Sequence, residues 1–189
     1  DSYMFIIKNN YYLYIENTKD ISLNYIKKNK KISIIYRQKN IQENIENLIK
    51  FKKQCTVKGF KLYIANNIKL MKNCKADGLY LSSFNKKTYL NKNIKLIGSA
   101  HSFREINEKL KQGCKIIFLS RLFKTSYQNK KSFWNVVKFN LLANKYNVTI
   151  VPLGGIKSSN LNKLNMINSD SLAIFSEVKK KPAITNRLF

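Results

Sequence analysis

Eight short apolar runs recur along the chain: Tyr11–Ile15, Ile32–Tyr36, Phe60–Ile64, Gly78–Leu81, Ile94–Ile97, Ile116–Leu119, Val148–Val151 and Leu172–Phe175. Each is short and rich in β-branched or aromatic residues, as strands buried on both faces of a parallel sheet require. Longer polar segments with helical signals separate most of them. Ser102 can cap a helix in which Phe103, Ile106 and Leu110 share a face, with Glu105 completing a capping box and Gly113 ending the helix. Apolar residues recur at positions 41, 45, 48 and 51, and Ser158 or Ser159 can cap a segment carrying Leu161 and Leu164. The weakest connection is Ser82–Asn93, which is polar and Lys-rich. Alternating β and α predicts an α/β fold with a parallel sheet, and eight strands favour a closed (β/α)8 barrel over an open doubly wound sheet. The whole chain, 1–189, reads as a single domain, small for such a barrel, so some helices must be short or missing. The tail Lys179–Phe189 can be a last helix with Pro182 in its first turn.

Charge points elsewhere at first sight. The chain carries 36 Lys+Arg against 10 Asp+Glu, a net charge of +26. A basic patch would suit nucleic acid, but the lysines are spread along the chain, and richness in Lys, Asn and Ile together is what AT-rich coding gives. No basic–aromatic RNA-recognition motif occurs, so specific nucleic-acid binding is not expected. The charge would still speed the arrival of anionic ligands. Cys55, Cys74 and Cys114 are odd in number and form no CxxC pair, which suits reduced thiols and a cytoplasmic setting. No run reaches membrane-spanning length and no signal peptide is visible, so no membrane partner is expected. The oligomeric state is open.

In a barrel the residues that follow strands face the ligand. Val151–Ile156 ends in Gly154 and Gly155, and Leu172–Ser176 ends in Ser176; small residues after a seventh and eighth strand suit a phosphate. His101, the single histidine, follows the fifth strand and can act as a general acid/base, although a lone histidine is more often structural. Arg37 and Lys39 follow the second strand, two residues apart, and suit phosphate or pyrophosphate oxygens; a solvated basic loop is the plainer alternative. Asn66, Asn67 and Asn85 can bind polar substrate groups but are poor ligands for Mg²⁺. Ser120, Thr125 and Ser126 offer hydroxyls after the sixth strand, and Asp77 lies at the opposite end of its strand, where a structural role is expected. No P-loop, HExxH, GxSxG or paired-carboxylate pattern is present.

Taken in order, IYRQK, ADGLYLS, IGSAHS, GCKIIFLSRLFKT, VPLGGI and LAIFSEV resemble the thiamine phosphate synthases and their relatives, the TenI-like thiazole tautomerases, from about Tyr11 to Val178. The resemblance implies a barrel that binds a small phosphorylated thiazole. It places Gly154, Gly155 and Ser176 on the phosphate, and Arg37, Lys39 and Ser99 on the pyrophosphate of a pyrimidine substrate. It puts Asn66 and Thr125 beside the substrate, with His101 as the residue that moves a proton in the tautomerases. The chain departs from the synthase pattern where Mg²⁺ is held: Ala65–Asn66 replaces Asn–Asp, and Asn85 replaces a further Asp. Ile35 stands for the usual Gln, and Lys124–Gln128 keeps only the first Thr of P-T-x-T-K. The resemblance thus implies no resident cofactor and a metal-independent, tautomerase-like proton transfer, with Mg²⁺ expected only if synthase chemistry survives. A synthase joining thiazole phosphate to hydroxymethylpyrimidine pyrophosphate is the second reading. A non-catalytic phosphate-ligand or RNA-binding barrel is the third.

Overall fold

A computed structural model describes residues 8–26, 31–39, 43–89, 91, 93–124 and 133–174. Its eight strands close into a barrel in chain order: β1 (Asn10–Ile15), β2 (Ile32–Tyr36), β3 (Lys61–Ala65), β4 (Gly78–Leu81), β5 (Leu96–Ala100), β6 (Ile116–Ser120), β7 (Thr149–Leu153) and β8 (Ser171–Ile174). Every neighbour pair is parallel, and β1 pairs with β8 to close the ring. The predicted barrel is therefore the fold of this chain.

Strand alternation divides the core in two. One set of side chains (Tyr12, Tyr14, Ile35, Tyr63, Tyr80, Ile97, Phe118, Val151 and Ala173) fills the barrel. The other set, among them Leu13, Ile34, Leu62, Leu79 and Ile117, packs outward with the helices. Barrel interiors are usually filled by branched aliphatics; here the large residues are aromatic, meeting edge to face at Tyr12–Phe118 (4.9 Å between ring centroids) and Tyr14–Tyr80 (5.5 Å). The Tyr14 hydroxyl donates to the Tyr80 hydroxyl at 3.2 Å, so a polar tip survives inside an apolar shell.

The helices are α1 (Ile45–Lys58), α2 (Ile68–Asn73), α3 (Phe103–Lys111) and α4 (Asn135–Lys145). Asn44 caps α1 by accepting from the Glu46 N–H, so this helix starts later than the apolar repeat suggests and runs on to Gly59, whose φ of 76° ends it. Among the described residues no helix joins β4 to β5, as the Lys-rich connection suggested. The segment Ser158–Met166 is 3-10 rather than α; its start is fixed by the Asn160 side chain accepting from the Lys157 N–H, not by a serine cap. Strand β5 begins and ends later than Ile94–Ile97 because Gly98, Ser99 and Ala100 continue the ladder with β6. The tail Lys179–Phe189 lies outside the described residues.

Asp77 is structural, as its place before β4 implied. Its Oδ2 accepts from the Leu62 N–H at 2.8 Å and from Lys52 Nζ at 2.6 Å, tying α1 and β3 together at the end of the barrel away from the strand C-termini.

All three cysteines are buried and free. Burial pushes the Cys114 thiol up to about 11 and the Cys55 thiol to about 12 from 9.0. The native state thus holds these protons more tightly than the unfolded chain. Their stabilising contribution is complete below pH 9 and is lost as pH rises through the native values. We expect chemical-denaturation stability to fall on the alkaline side between about pH 9 and 12, and a thiol reagent at pH 8 to label the native protein only as fast as it unfolds. Rapid labelling of all three thiols in the native state would contradict this packing.

Candidate functional site

At the C-terminal mouth of the barrel, the chain beyond β2 stays beside β1. The Arg37 N–H donates to the Ile15 carbonyl at 2.8 Å, which extends the ladder by one residue and keeps the R-x-K segment at the rim. A cavity of about 620 Å³ opens there. Arg37, Lys39, Glu16, Asn66, Asn67 and Phe84 line it. Lys39 Nζ stands 3.8 Å from Glu16, leaving the cavity with one cation in excess. The two cations expected to face one way thus share one cavity, in reach of an anion.

Beside them, three polar side chains interlock. Asn66 takes a left-handed backbone conformation (φ 58°), tolerated by Asn better than by most residues. Its Nδ2 donates to Ser82 Oγ at 2.8 Å, while its Oδ1 accepts from the Ser82 N–H (2.9 Å) and from Asn85 Nδ2 (3.0 Å). The Asn85 Oδ1 in turn accepts from the Lys87 N–H at 2.9 Å. These are the positions where the resemblance expects Mg²⁺ carboxylates. Mg²⁺ takes near-octahedral oxygen donors and is usually held through one or two carboxylates. Both amide oxygens here are neutral and already engaged by N–H donors, so the donor set does not fit the ion. Among the described residues no group of three or more His, Cys, Asp and Glu side chains stands together as a metal site.

Ser99 lies on the inward face of β5, in line with Ile97, and is buried. It is hydrogen-bonded to Tyr80, which also meets Tyr14, giving three linked hydroxyls in the barrel core. Burial holds both phenols protonated above their ordinary range, and the Arg37 charge opposes that rise in each.

His101 is the first residue beyond β5 and is about half exposed. The Glu105 carboxylate Oε2 accepts from the His101 N–H at 2.6 Å and faces its Nδ1 at 3.0 Å. The capping box is thus shifted: Ser102 accepts from the Glu105 N–H, but Glu105 reaches back to His101 rather than to the cap. The result orients the imidazole, with Nδ1 toward the carboxylate and Nε2 on the opposite side of the ring. His101 does not line the Arg37–Lys39 cavity.

Gly154 and Gly155 both have positive φ (91° and 73°) after β7. A Cβ on Gly155 would lie 2.2 Å from the Phe123 carbonyl oxygen, and the Phe123 N–H donates to the Gly154 carbonyl at 3.2 Å, so the loop after β6 is laid directly on the glycine pair. Ser120, which the structure makes the last residue of β6 rather than the first beyond it, has its Oγ 3.3 Å from where a Gly154 Cβ would stand, beside the glycine loop. Ser176, Thr125 and Ser126 lie outside the described residues.

Sequence reasoning passed over Lys109 and Gln112. Lys109 is wholly buried on α3, and its Nζ donates to the Asn85 carbonyl at 2.7 Å and to Gln112 Oε1 at 2.9 Å. Gln112 Nε2 donates to the carbonyls of Asn85 and Lys87. Burial lowers the Lys109 pKa. The available signals were two: Lys109 stands three residues after the buried Ile106 on one helix face, and Gly98 leaves room for the lysine stem, since a Cβ there would lie 2.9 Å from Lys109 Cδ.

A sequence profile described as thiamine monophosphate synthase matches residues 5–178, most of the chain. The chain belongs to the thiamine monophosphate synthase family. A curated relative, the thiamine-phosphate synthase of Prochlorococcus marinus, is 24% identical over 142 residues, covering 72% of this chain. The chain spans about 40% of that relative's length. A solved structure, the thiamine phosphate pyrophosphorylase of Pyrococcus furiosus, superposes with a TM-score of 0.75 at 14% identity, covering 96% of this chain and 92% of its own. Another, described as native KDPGal, gives 0.59 at 8% identity over 95% and 87%. At such identities the structural matches show the fold, and the profile shows the family. Among the described residues no helix is long and apolar enough to cross a membrane.

Proposed function

We propose that this family member binds a phosphorylated thiazole and shifts a proton on it without a metal ion. The observation that carries the reading is the Asn66–Ser82–Asn85 interlock. Joining a thiazole to a pyrimidine expels pyrophosphate, whose charge must be neutralised as it leaves, usually with a metal. A tautomerisation removes a proton from one ring position and returns one at another; no anion departs. A site whose carboxylates are amides, with their oxygens already bonded, suits the second reaction. Gly154, Gly155 and Ser176 would take the phosphate. Arg37 and Lys39 would meet a second anionic group such as a ring carboxylate, with Ser99 and Asn66 on the ring's polar edge and Thr125 nearby. His101 Nε2, with Nδ1 set by Glu105, would carry the proton.

Conversion of a thiazole carboxylate phosphate between its tautomers, followed by ultraviolet absorbance, tests this reading. We expect turnover unaffected by a chelator. No turnover in any buffer, with the ligand bound, would leave a phosphate-binding barrel without this catalysis. The Arg37–Lys39 cavity favours the synthase as the second reading, because paired cations also suit a pyrophosphate.

A further inference from the structure

Phe84 is 69% exposed, yet it stands on a turn held by hydrogen bonds from two sides. The Asn85 N–H closes the turn onto the Ser82 carbonyl at 2.9 Å, with Ser83 and Phe84 at its centre. Asn66 grips both ends of the turn, at the Ser82 N–H and the Asn85 amide. From the other side Lys109 and Gln112 both donate to the Asn85 carbonyl. A buried lysine and two interlocked amides thus fix a turn whose central side chain is left in solvent.

Most other exposed large apolar residues (Val57, Val137, Leu141 and Met166) belong to helices away from this mouth. Phe84 instead lines the cavity that holds Arg37 and Lys39, with Ile64 and Leu70 as further apolar wall. A cavity with cations, amides and one exposed aromatic side chain on a held turn fits a ligand that is part anion and part planar ring.

We infer that Phe84 is a specificity-determining wall of the Arg37–Lys39 cavity, stacking on the planar ring of the ligand whose anionic group the cations meet. The inference rests on the proposed reading of this cavity as the place where Arg37 and Lys39 meet an anionic group of the ligand. Phe84 selects the ring, and the cations hold the anion. Lys109 and Gln112 act through the turn, as positioning residues.

Calorimetric titration of wild type, Phe84→Ala, Phe84→Trp and Arg37→Ala with four probes tests it. The probes are hydroxyethylthiazole phosphate, hydroxymethylpyrimidine pyrophosphate, inorganic phosphate and inorganic pyrophosphate. Phe84→Ala is expected to weaken at least one ring-bearing probe by about tenfold, the scale of one base–aromatic stack, with both inorganic anions unchanged. Phe84→Trp should restore the loss, and the probe that responds identifies which ring occupies the cavity. Equal weakening of ring-bearing and inorganic probes, or no weakening at all, would overturn the role of Phe84. Failure of the wild type to bind any probe, or Arg37→Ala leaving every anion unaffected, would overturn the underlying reading of the cavity as well.

Discussion

Replacing His101 with alanine is expected to lower turnover of a thiazole carboxylate phosphate by about 10²–10⁴-fold, the usual contribution of a positioned general acid/base. Affinity for the ligand should change little, because the phosphate contacts proposed at Gly154, Gly155 and Ser176 do not involve the imidazole. Stability should also be nearly unaffected: the His101 side chain is about half exposed, and its bond to Glu105 is an i,i+4 surface pair. That separation makes the variant informative. Glu105→Gln should give an intermediate loss, since the neutral amide can still accept from the His101 N–H but no longer stabilises a charged ring. Turnover unchanged in His101→Ala would remove the histidine from the chemistry.

Gly155→Ala is expected to be among the most disruptive single-methyl changes in the chain. The added Cβ would meet the Phe123 carbonyl oxygen at 2.2 Å and its carbon at 2.6 Å, backbone atoms that cannot rotate away. The positive φ of 73° adds strain of about 1 kcal/mol. Clash and strain together should lower unfolding free energy by about 3 kcal/mol, or displace the β6–β7 loops and with them phosphate affinity. Gly59→Ala provides the control. Its φ is similar at 76°, but no atom lies within 4 Å of the new Cβ, so only the strain of about 1 kcal/mol remains. Denaturant unfolding of the two variants compares them directly. A Gly155→Ala loss no larger than that of Gly59→Ala would mean the Phe123 contact yields easily.

The architecture was legible because all eight strands are short apolar runs buried on both sides, a pattern that needs no long-range information. Errors fell where side-chain size and local capping outweigh hydrophobicity. Gly98, Ser99 and Ala100 lie beyond the apolar run yet finish β5 by pairing with β6, and Gly98 must be small because a Cβ there would meet the Lys109 stem. The apolar repeat does not give the start of α1, because the Asn44 cap decides it. At the site, the R-x-K cations and the glycine pair could be placed from strand ends alone. The amide interlock could not, because it joins residues sixteen and nineteen positions apart through a turn. Lys109 was hidden for the opposite reason: a lysine on a Lys-rich helix reads as solvated surface, and only the fold shows its stem under the β4–β5 connection.

The most direct test of the central claim is an incubation of the purified protein with thiazole phosphate and hydroxymethylpyrimidine pyrophosphate, with and without Mg²⁺, assayed for thiamine phosphate. The amide interlock predicts no thiamine phosphate in either case, while thiazole phosphate still raises the melting temperature. Metal-dependent formation of thiamine phosphate would contradict the account and show that Asn66 and Asn85 serve a synthase despite their lost charge.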